Sequence, residues 1–274
     1  MARFAPLFSS SEGNCTYIGG SGGGILIDAG VSAKRIREAL AGIGVDPGRI
    51  GAVFVTHEHI DHIGGLRVFC ERAGVPVFAT PGTLRALESQ NILTGKFGVS
   101  VLPEGGVEVN GMWVRGFRTS HDANEPCGYR VETPDGTRVG IATDTGCLLA
   151  ETREALRGCD MVMLESNHEV TMLQNGPYPY FLKRRILSDL GHLSNAACAD
   201  FLRELLRSGT GRFWLAHLSK ENNTPELACA TARAALEADG AKAGLDYELA
   251  LAGVCDGEGA ARQKEGRRAG AWRF

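Results

Sequence analysis

Apolar residues along this chain fall into two textures. Six short stretches, residues 24–28, 52–56, 75–79, 138–143, 161–164 and 212–216, are almost continuously apolar and rich in β-type side chains. Runs of that length predict strands buried on both faces. Residues 15–18, 112–119 and 128–132 add further strands, and Thr133-Pro134-Asp135-Gly136 reads as the turn into the strand that starts at Arg138. Elsewhere the period changes to that of amphipathic helices. Ser32 caps one that runs to Leu40, a second covers 66–73, and Thr80-Pro81 opens a third with proline in its favoured first-turn position. Ser194 caps a helix with Cys198, Phe201, Leu202, Leu205 and Leu206 on its apolar face, ending before Gly209, and a last helix covers 226–238. Strands mixed with helices in both halves predict layered α/β architecture with sheet in the middle.

Composition sets the frame around that pattern. With 274 residues, 43% of them hydrophobic, the chain can bury a full core. Residues 1–255 are expected to form one domain, and 256–274, rich in Gly, Ala, Arg and Lys, to form a basic, flexible tail. A net charge of -3 provides no global positive field, so any polyanion must be met by a local patch. No stretch approaches the roughly 18 apolar residues of a membrane span, and the first ten residues lack the basic and apolar regions of a signal peptide. A cytoplasmic location with no membrane partner is therefore expected. The eight cysteines are scattered without a CxxC pair and read as buried free thiols rather than ligands. The glycines of 19–24 are not followed by Gly-Lys-Ser/Thr, so they read as a hairpin turn and not a phosphate loop.

The chemistry begins at Thr56-His57-Glu58-His59-Ile60-Asp61-His62. The chain has only seven histidines, and three of them fall within the six positions 57–62, directly after a buried strand. Side chains on an extended segment alternate, so His57 and His59 share one side, while Asp61 and His62 address a second position at the turn. Imidazole and carboxylate together suit Zn, Mn or Fe. An open coordination position on such an ion lowers the pKa of water towards neutrality. Remaining ligands are expected at other strand ends, and His121, Asp144 and His217 each follow one.

These residues resemble the signature of the metallo-β-lactamase superfamily, His57-x-His59-x-Asp61-His62 together with His121, Asp144 and His217, over nearly the whole chain to about Leu251. The resemblance implies a four-layer αβ/βα sandwich and two divalent metal ions. It implies that His57, His59 and His121 hold the first ion, Asp61, His62 and His217 the second, and that Asp144 bridges them. Asp28 in Leu26-Ile27-Asp28-Ala29-Gly30 matches the family's buried aspartate that orients a ligand imidazole.

The superfamily hosts several hydrolytic chemistries, so the fold does not choose among them. A phosphodiester expels a poor alkoxide leaving group and gains from a proton donor, whereas a thioester does not. His192, with Glu165, resembles the carboxylate–histidine proton shuttle of the ribonuclease Z branch. His168 is expected to contact a phosphate or shape the pocket. Lys183, Arg184 and Arg185, close to Tyr178 and Tyr180, are expected to hold a phosphate backbone. The stretches Ser9-Ser10-Ser11-Glu12-Gly13-Asn14, Thr119-Ser120-His121-Asp122-Ala123, Gly176-Pro177-Tyr178-Pro179 and Leu215-Ala216-His217-Leu218-Ser219-Lys220-Glu221-Asn222-Asn223 are similar to the YycJ/WalJ-like subgroup, which is associated with bacterial DNA exonuclease activity. Only 73 positions separate Asp144 from His217, so the β-CASP insertion of the larger nucleases is absent. The expectation is a binuclear phosphodiesterase acting on DNA as an exonuclease. A metal-bridging hydroxide attacks phosphorus, Asp61 serves the catalytic centre, and His192 protonates the leaving oxygen. The alternative is a small-molecule metallohydrolase acting on a thioester, lactone or cyclic phosphodiester, which the net negative charge and the missing insertion favour.

Overall fold

The computed structural model describes residues 2–20, 22–253 and 272–273. Its first half builds one sheet from β1 (Arg3–Phe8), β2 (Cys15–Gly20), β3 (Gly23–Ile27), β4 (Ile50–Phe54), β5 (Val77–Ala79) and β6 (Val99–Val101), paired in that order. The second half builds another from β7 (Val107–Val109), β8 (Met112–Arg118), β9 (Cys127–Glu132), β10 (Arg138–Ala142), β11 (Met161–Glu165), β12 (Arg212–Ala216) and β13 (Glu248–Leu251), again in chain order. β3 to β6 are parallel, as are β10 to β13, and the hairpins at β1–β2–β3 and β7–β8–β9–β10 are antiparallel. Most of the expected tail lies outside the described residues. Its Trp272–Arg273 backbone forms β14, antiparallel to β1 at the edge of the first sheet.

Alternation along the strands produces three cores and hence four layers. Ile25, Ile27, Ala52 and Phe54 point from the first sheet towards Tyr129, Ile141, Met161, Met163 and Trp214 of the second. Their neighbours Leu26, Val53 and Val55 point the other way. There they meet α1 (Ala33–Gly42), α3 (Leu66–Ala73) and α4 (Pro81–Ser89), which follow α1 along the chain with the single turn α2 (Ile60–Ile63) between. On the far side, Val162, Leu164, Phe213 and Leu215 pack against α5 (Ala150–Leu156), α8 (Asn195–Arg207) and α9 (Pro225–Glu237). Strands covered on both faces explain the continuous apolar runs. Two short helices, α6 (Val170–Asn175) and α7 (Tyr180–Ile186), leave the layers between β11 and α8.

The helix caps follow the sequence: Ser32, Thr80, Ser194 and Thr224 each accept from the backbone N–H three positions on. Several elements differ from expectation. The strand expected over 75–79 begins only at Val77, after Pro76. The glycine turn is tighter, because β2 and β3 stay paired as far as Gly20 and Gly23. β1, β13 and the short α5, α6 and α7 were not expected. The seven described cysteines are all free, five of them buried, and burial pushes Cys70 and Cys127 up to about 12. No helix among the described residues is long and apolar enough to cross a membrane.

Phe54 is fully enclosed between the sheets, stacked on Phe78 at 5.1 Å and edge-on to Tyr129 at 5.6 Å. Phe54→Ala should destabilise the fold by roughly 3–5 kcal/mol, read as a lower urea midpoint at unchanged slope. A loss below about 1 kcal/mol would mean that the two sheets are not packed through this ring.

Candidate metal centre

Six strands deliver their carboxyl ends to one place. Asp28 follows β3, His57 and His59 follow β4, and His121 follows β8. Asp144 follows β10, Glu165 ends β11, and His217 follows β12. Ligand sites outside the carboxyl ends of parallel strands are a general property of α/β sheets. Here both sheets contribute, so the cluster sits across the open end of the sandwich.

The backbone makes a local sacrifice to aim three of these side chains. Asp28, Asp144 and His217 adopt φ of 61°, 55° and 54°, the left-handed region that non-glycine residues avoid. Such residues cost about 1–2 kcal/mol each and persist where surrounding contacts hold them. The contacts are present: His217 N–H donates to Ser9 Oγ at 2.9 Å, and Asp28 N–H to the Phe54 carbonyl at 2.8 Å. Gly30 is held for a different reason. A Cβ there would stand 1.6 Å from the Asp61 carbonyl, so only glycine lets the α2 turn close down on β3's exit.

Four of the imidazoles, His57, His62, His121 and His217, are tied at Nδ1 and present Nε2 to the cluster. Thr56 Oγ1 lies 3.1 Å from His57 Nδ1, Asp28 Oδ2 lies 2.7 Å from His62 Nδ1, and the Gly191 carbonyl lies 3.0 Å from His121 Nδ1. Glu165 Oε1 lies 3.0 Å from His217 Nδ1. Inward, His57 Nε2 and His121 Nε2 stand 3.1 and 3.3 Å from His59 Nδ1. His62 Nε2 is 3.0 Å from Asp144 Oδ2 and 3.4 Å from Asp61 Oδ2, and His217 Nε2 is 3.5 Å from Asp61 Oδ2. Convergent lone pairs with outward anchors are the arrangement a cation requires.

Three groupings bring donor atoms within 4.8 Å of one another: His57 with His59 and His121; Asp61 with His62 and His217; and His57 with His62 and Asp144. A fourth joins Asp144, Glu165, His192 and His217. Asp144 Oδ2 and His217 Nε2 are buried and, though close to His62 Nε2 and Asp61 Oδ2, form no well-aligned hydrogen bond, a costly state for polar atoms and a fit to divalent metal. The cluster can therefore hold divalent metal.

The electrostatics reflect the crowding. Burial and the neighbouring His62 hold His57 well below its ordinary pKa. Burial also opposes charge on His62, but Asp28 and Asp144 outweigh it and lift His62 well above. At His217 burial is overcome by Asp144, Asp61 and Glu165, which raise it to about 10. Burial would raise Glu165, yet His192 and His217 bring it down to about 2.

Glu165 has more partners than the sequence discloses. Its Oε1 meets both His192 Nδ1 at 2.7 Å and His217 Nδ1 at 3.0 Å. Its Oε2 accepts from Thr145 N–H at 2.8 Å and Leu193 N–H at 3.3 Å. His192 keeps a side chain 15% exposed, while Glu165 is wholly enclosed. Thr56 and Asn14 were missed by sequence reasoning. Thr56 gives its N–H and hydroxyl to Asp28 and touches both His57 and His62. Asn14 Nδ2 reaches Asp61 Oδ2 at 3.3 Å and lies 3.1 Å from His62 Nε2. The available signal was position: Thr56 opens the histidine motif, and Asn14 ends the Ser-rich opening stretch.

The residues expected to meet substrate are placed differently. His168 is buried, with neither ring nitrogen hydrogen-bonded, and burial lowers it to about 4. Lys183 Nζ donates to the Gln174 and Gly176 carbonyls at 2.8 and 2.7 Å. Arg185 makes a two-point pair with Asp122 at 2.5 and 3.0 Å. Of the basic triplet only Arg184 is not engaged by a carboxylate or carbonyl, and it lies 6.0 Å from the Tyr180 ring centre. The triplet is thus largely consumed in bracing α7, not displayed as a cationic patch.

Residues 11–217 match the model of the metallo-beta-lactamase superfamily. The chain belongs to the metallo-β-lactamase superfamily. Within it, the chain is 37% identical over 251 residues to the Exodeoxyribonuclease YycJ of Bacillus anthracis, covering 90% of this chain and 94% of that one. The identity is also 37% to the Exodeoxyribonuclease WalJ of Streptococcus pneumoniae serotype 2 (strain D39 / NCTC 7466), covering 90% and 93%. Among solved structures, the metallo-beta-lactamase fold protein YhfI of Bacillus subtilis superposes with a TM-score of 0.70 at 13% identity, covering 92% of this chain and 96% of that one. That likeness confirms the superfamily's four-layer fold.

Metal should stabilise this superfamily member by mass action. At a hundredfold excess over Kd, Zn²⁺ or Mn²⁺ added to chelator-stripped protein should contribute about 2.7 kcal/mol, a rise of roughly 5–10 °C in Tm for a chain of this size. Asp144→Ala should abolish most of the rise. An unchanged melting curve with both ions would contradict a metal centre.

Proposed function

We propose that this protein is a metal-dependent exodeoxyribonuclease whose centre takes two divalent ions. The observation that carries the reading is the His192–Glu165 pair, a proton donor held 2.7 Å from its carboxylate at the rim of the ligand cluster. The relatives named as exodeoxyribonucleases, aligned over nine-tenths of the chain, support DNA as the substrate.

In this reading His57, His59 and His121 hold one ion and Asp61, His62 and His217 the other, with the Asp144 carboxylate shared. When bound, such ions supply Lewis acidity at the phosphoryl oxygens and a nucleophile at neutral pH. Zn, Mn and Fe all suit the mixed imidazole and carboxylate donors. The protein's part is to keep the donors aimed. Asp28 fixes His62 through Nδ1, and Thr56 ties Asp28 to His57. Glu165 fixes His217 and His192 with one oxygen.

His192 is the acid. Glu165 takes its Nδ1, which leaves Nε2 as the ring nitrogen for a leaving oxygen. Burial opposes charge on this ring, but Glu165 and Asp144 outweigh it and raise its pKa above the ordinary imidazole value, which favours the proton-bearing form that an acid needs. A phosphodiester's alkoxide leaving group needs that proton, and a thioester's thiolate does not. This difference favours phosphodiester over thioester chemistry.

His192→Ala should lower turnover on DNA by roughly 10²–10⁴-fold and leave metal content unchanged by elemental analysis. Wild-type turnover in that variant would remove His192 as the acid. Glu165→Ala should do more, since it frees His217 as well: metal affinity should fall by roughly 10–100-fold in addition to the loss of rate. A panel of 5′-phosphorylated duplex DNA, bis(p-nitrophenyl) phosphate and S-lactoylglutathione tests the substrate class. Turnover of the thioester alone would overturn the nuclease reading.

A further inference from the structure

Among the described residues, ten large apolar side chains are exposed, and five of them, Ile60, Tyr180, Phe181, Leu187 and Leu190, belong to two segments that border the metal centre. Ile60, 73% exposed, stands between His59 and Asp61. The other four lie on α7 and the turns after it, with Tyr180 and Phe181 76% and 74% exposed. That segment is pinned to the centre at several points. Arg185 pairs with Asp122, Asp122 N–H donates to the Leu190 carbonyl at 3.1 Å, and the Gly191 carbonyl holds His121. His192, the proton donor, ends the segment and donates its N–H to the Ile186 carbonyl at 3.0 Å.

Helix geometry locates the aromatic pair. Phe181 is four residues before Arg185 and so shares its face of α7. Tyr180 is likewise four residues before Arg184, whose guanidinium lies 6.0 Å from the Tyr180 ring centre. Exposed aromatic rings bracketed by arginine, beside a phosphodiester-cleaving centre, have the chemistry of a base-stacking platform. The lysine and arginine flanking them do not supply a competing phosphate clamp, because Lys183 and Arg185 are already bound within the protein.

We propose that Tyr180 and Phe181 stack on unpaired bases at the end of the strand being degraded, and so set the preference for a nucleic-acid end over a small phosphodiester. The proposal rests on the nuclease reading above. It assigns substrate capture to the aromatic rings of α7 rather than to the basic triplet that follows them.

The test compares the metal-loaded full-length protein with Tyr180→Ala/Phe181→Ala and Tyr180→Trp/Phe181→Trp. The substrates are a single-stranded oligodeoxynucleotide and one of equal length with abasic residues at both ends. Far-UV circular dichroism verifies that each variant is folded. The alanine pair should raise KM on the base-bearing strand by roughly tenfold or more for each ring, the tryptophan pair should restore it, and the abasic strand should show no difference between proteins. Equal losses on both strands, or no loss on either, would overturn stacking while leaving the nuclease reading intact. Sedimentation adds a further check: a wild-type dimer that the alanine pair converts to monomer would assign this face to a second copy of the chain instead. A wild-type protein that cleaves bis(p-nitrophenyl) phosphate but neither strand would overturn the nuclease reading, and this proposal with it.

Discussion

Four carboxylates, Asp28, Asp61, Asp144 and Glu165, converge with a ring of imidazoles at the end of the sandwich, and three of the four are almost wholly removed from water. Unpaired, charges at that depth would cost several kcal/mol apiece. Asp28 is matched by Thr56 and His62, and Glu165 by two imidazoles and two backbone N–H groups. Asp61 instead faces the inner nitrogens of His62 and His217, and Asp144 the inner nitrogen of His62 and the Nδ1 of His217. Much of the surrounding structure follows from this need. The turn at Gly30, the left-handed exits from three strands and the hydroxyls of Thr56 and Ser9 all bring a counter-group to a buried charge.

The histidine cluster was legible because it is local. Three histidines and an aspartate in six residues follow a strand whose two buried faces give it an unmistakable apolar run. Asp144 and His217 were legible for a related reason, since each follows a run of the same texture, while His121 follows the alternating strand β8. The anchors that fix those side chains were less so. The link from Thr56 to Asp28 and that from the Gly191 carbonyl to His121 are closed only by the tertiary fold, 28 and 70 positions apart. Glu165 was expected beside His192, but its equal hold on His217, 52 positions away, belongs to the packing of β11 against β12.

The region between β11 and α8 was the least legible. α6 and α7 have six and seven residues, too few for a helical period to declare itself, and Gly176-Pro177-Tyr178-Pro179 interrupts them. β1 hid for a different reason: Pro6 falls within it at an irregularity in its pairing with β2, and proline argues against a strand interior. The basic triplet showed the limit of reading charge from composition. A lysine that closes a loop on two carbonyls and an arginine that braces an aspartate look, in sequence, the same as cations offered to a ligand.

The left-handed backbone at Asp28, Asp144 and His217 bears on how such a centre can diverge. At these three positions side chain and main chain are constrained together, because a β-branched replacement would lose both a donor atom and a tolerated φ. Asparagine, aspartate, histidine and glycine sit there most easily, so these three strand ends can drift only within a narrow alphabet. The α7 rim carries no such restriction, as its exposed rings rest on ordinary helix. Descendants of this fold therefore have one part that is nearly immutable and another that can be rewritten freely, and the two meet at His192.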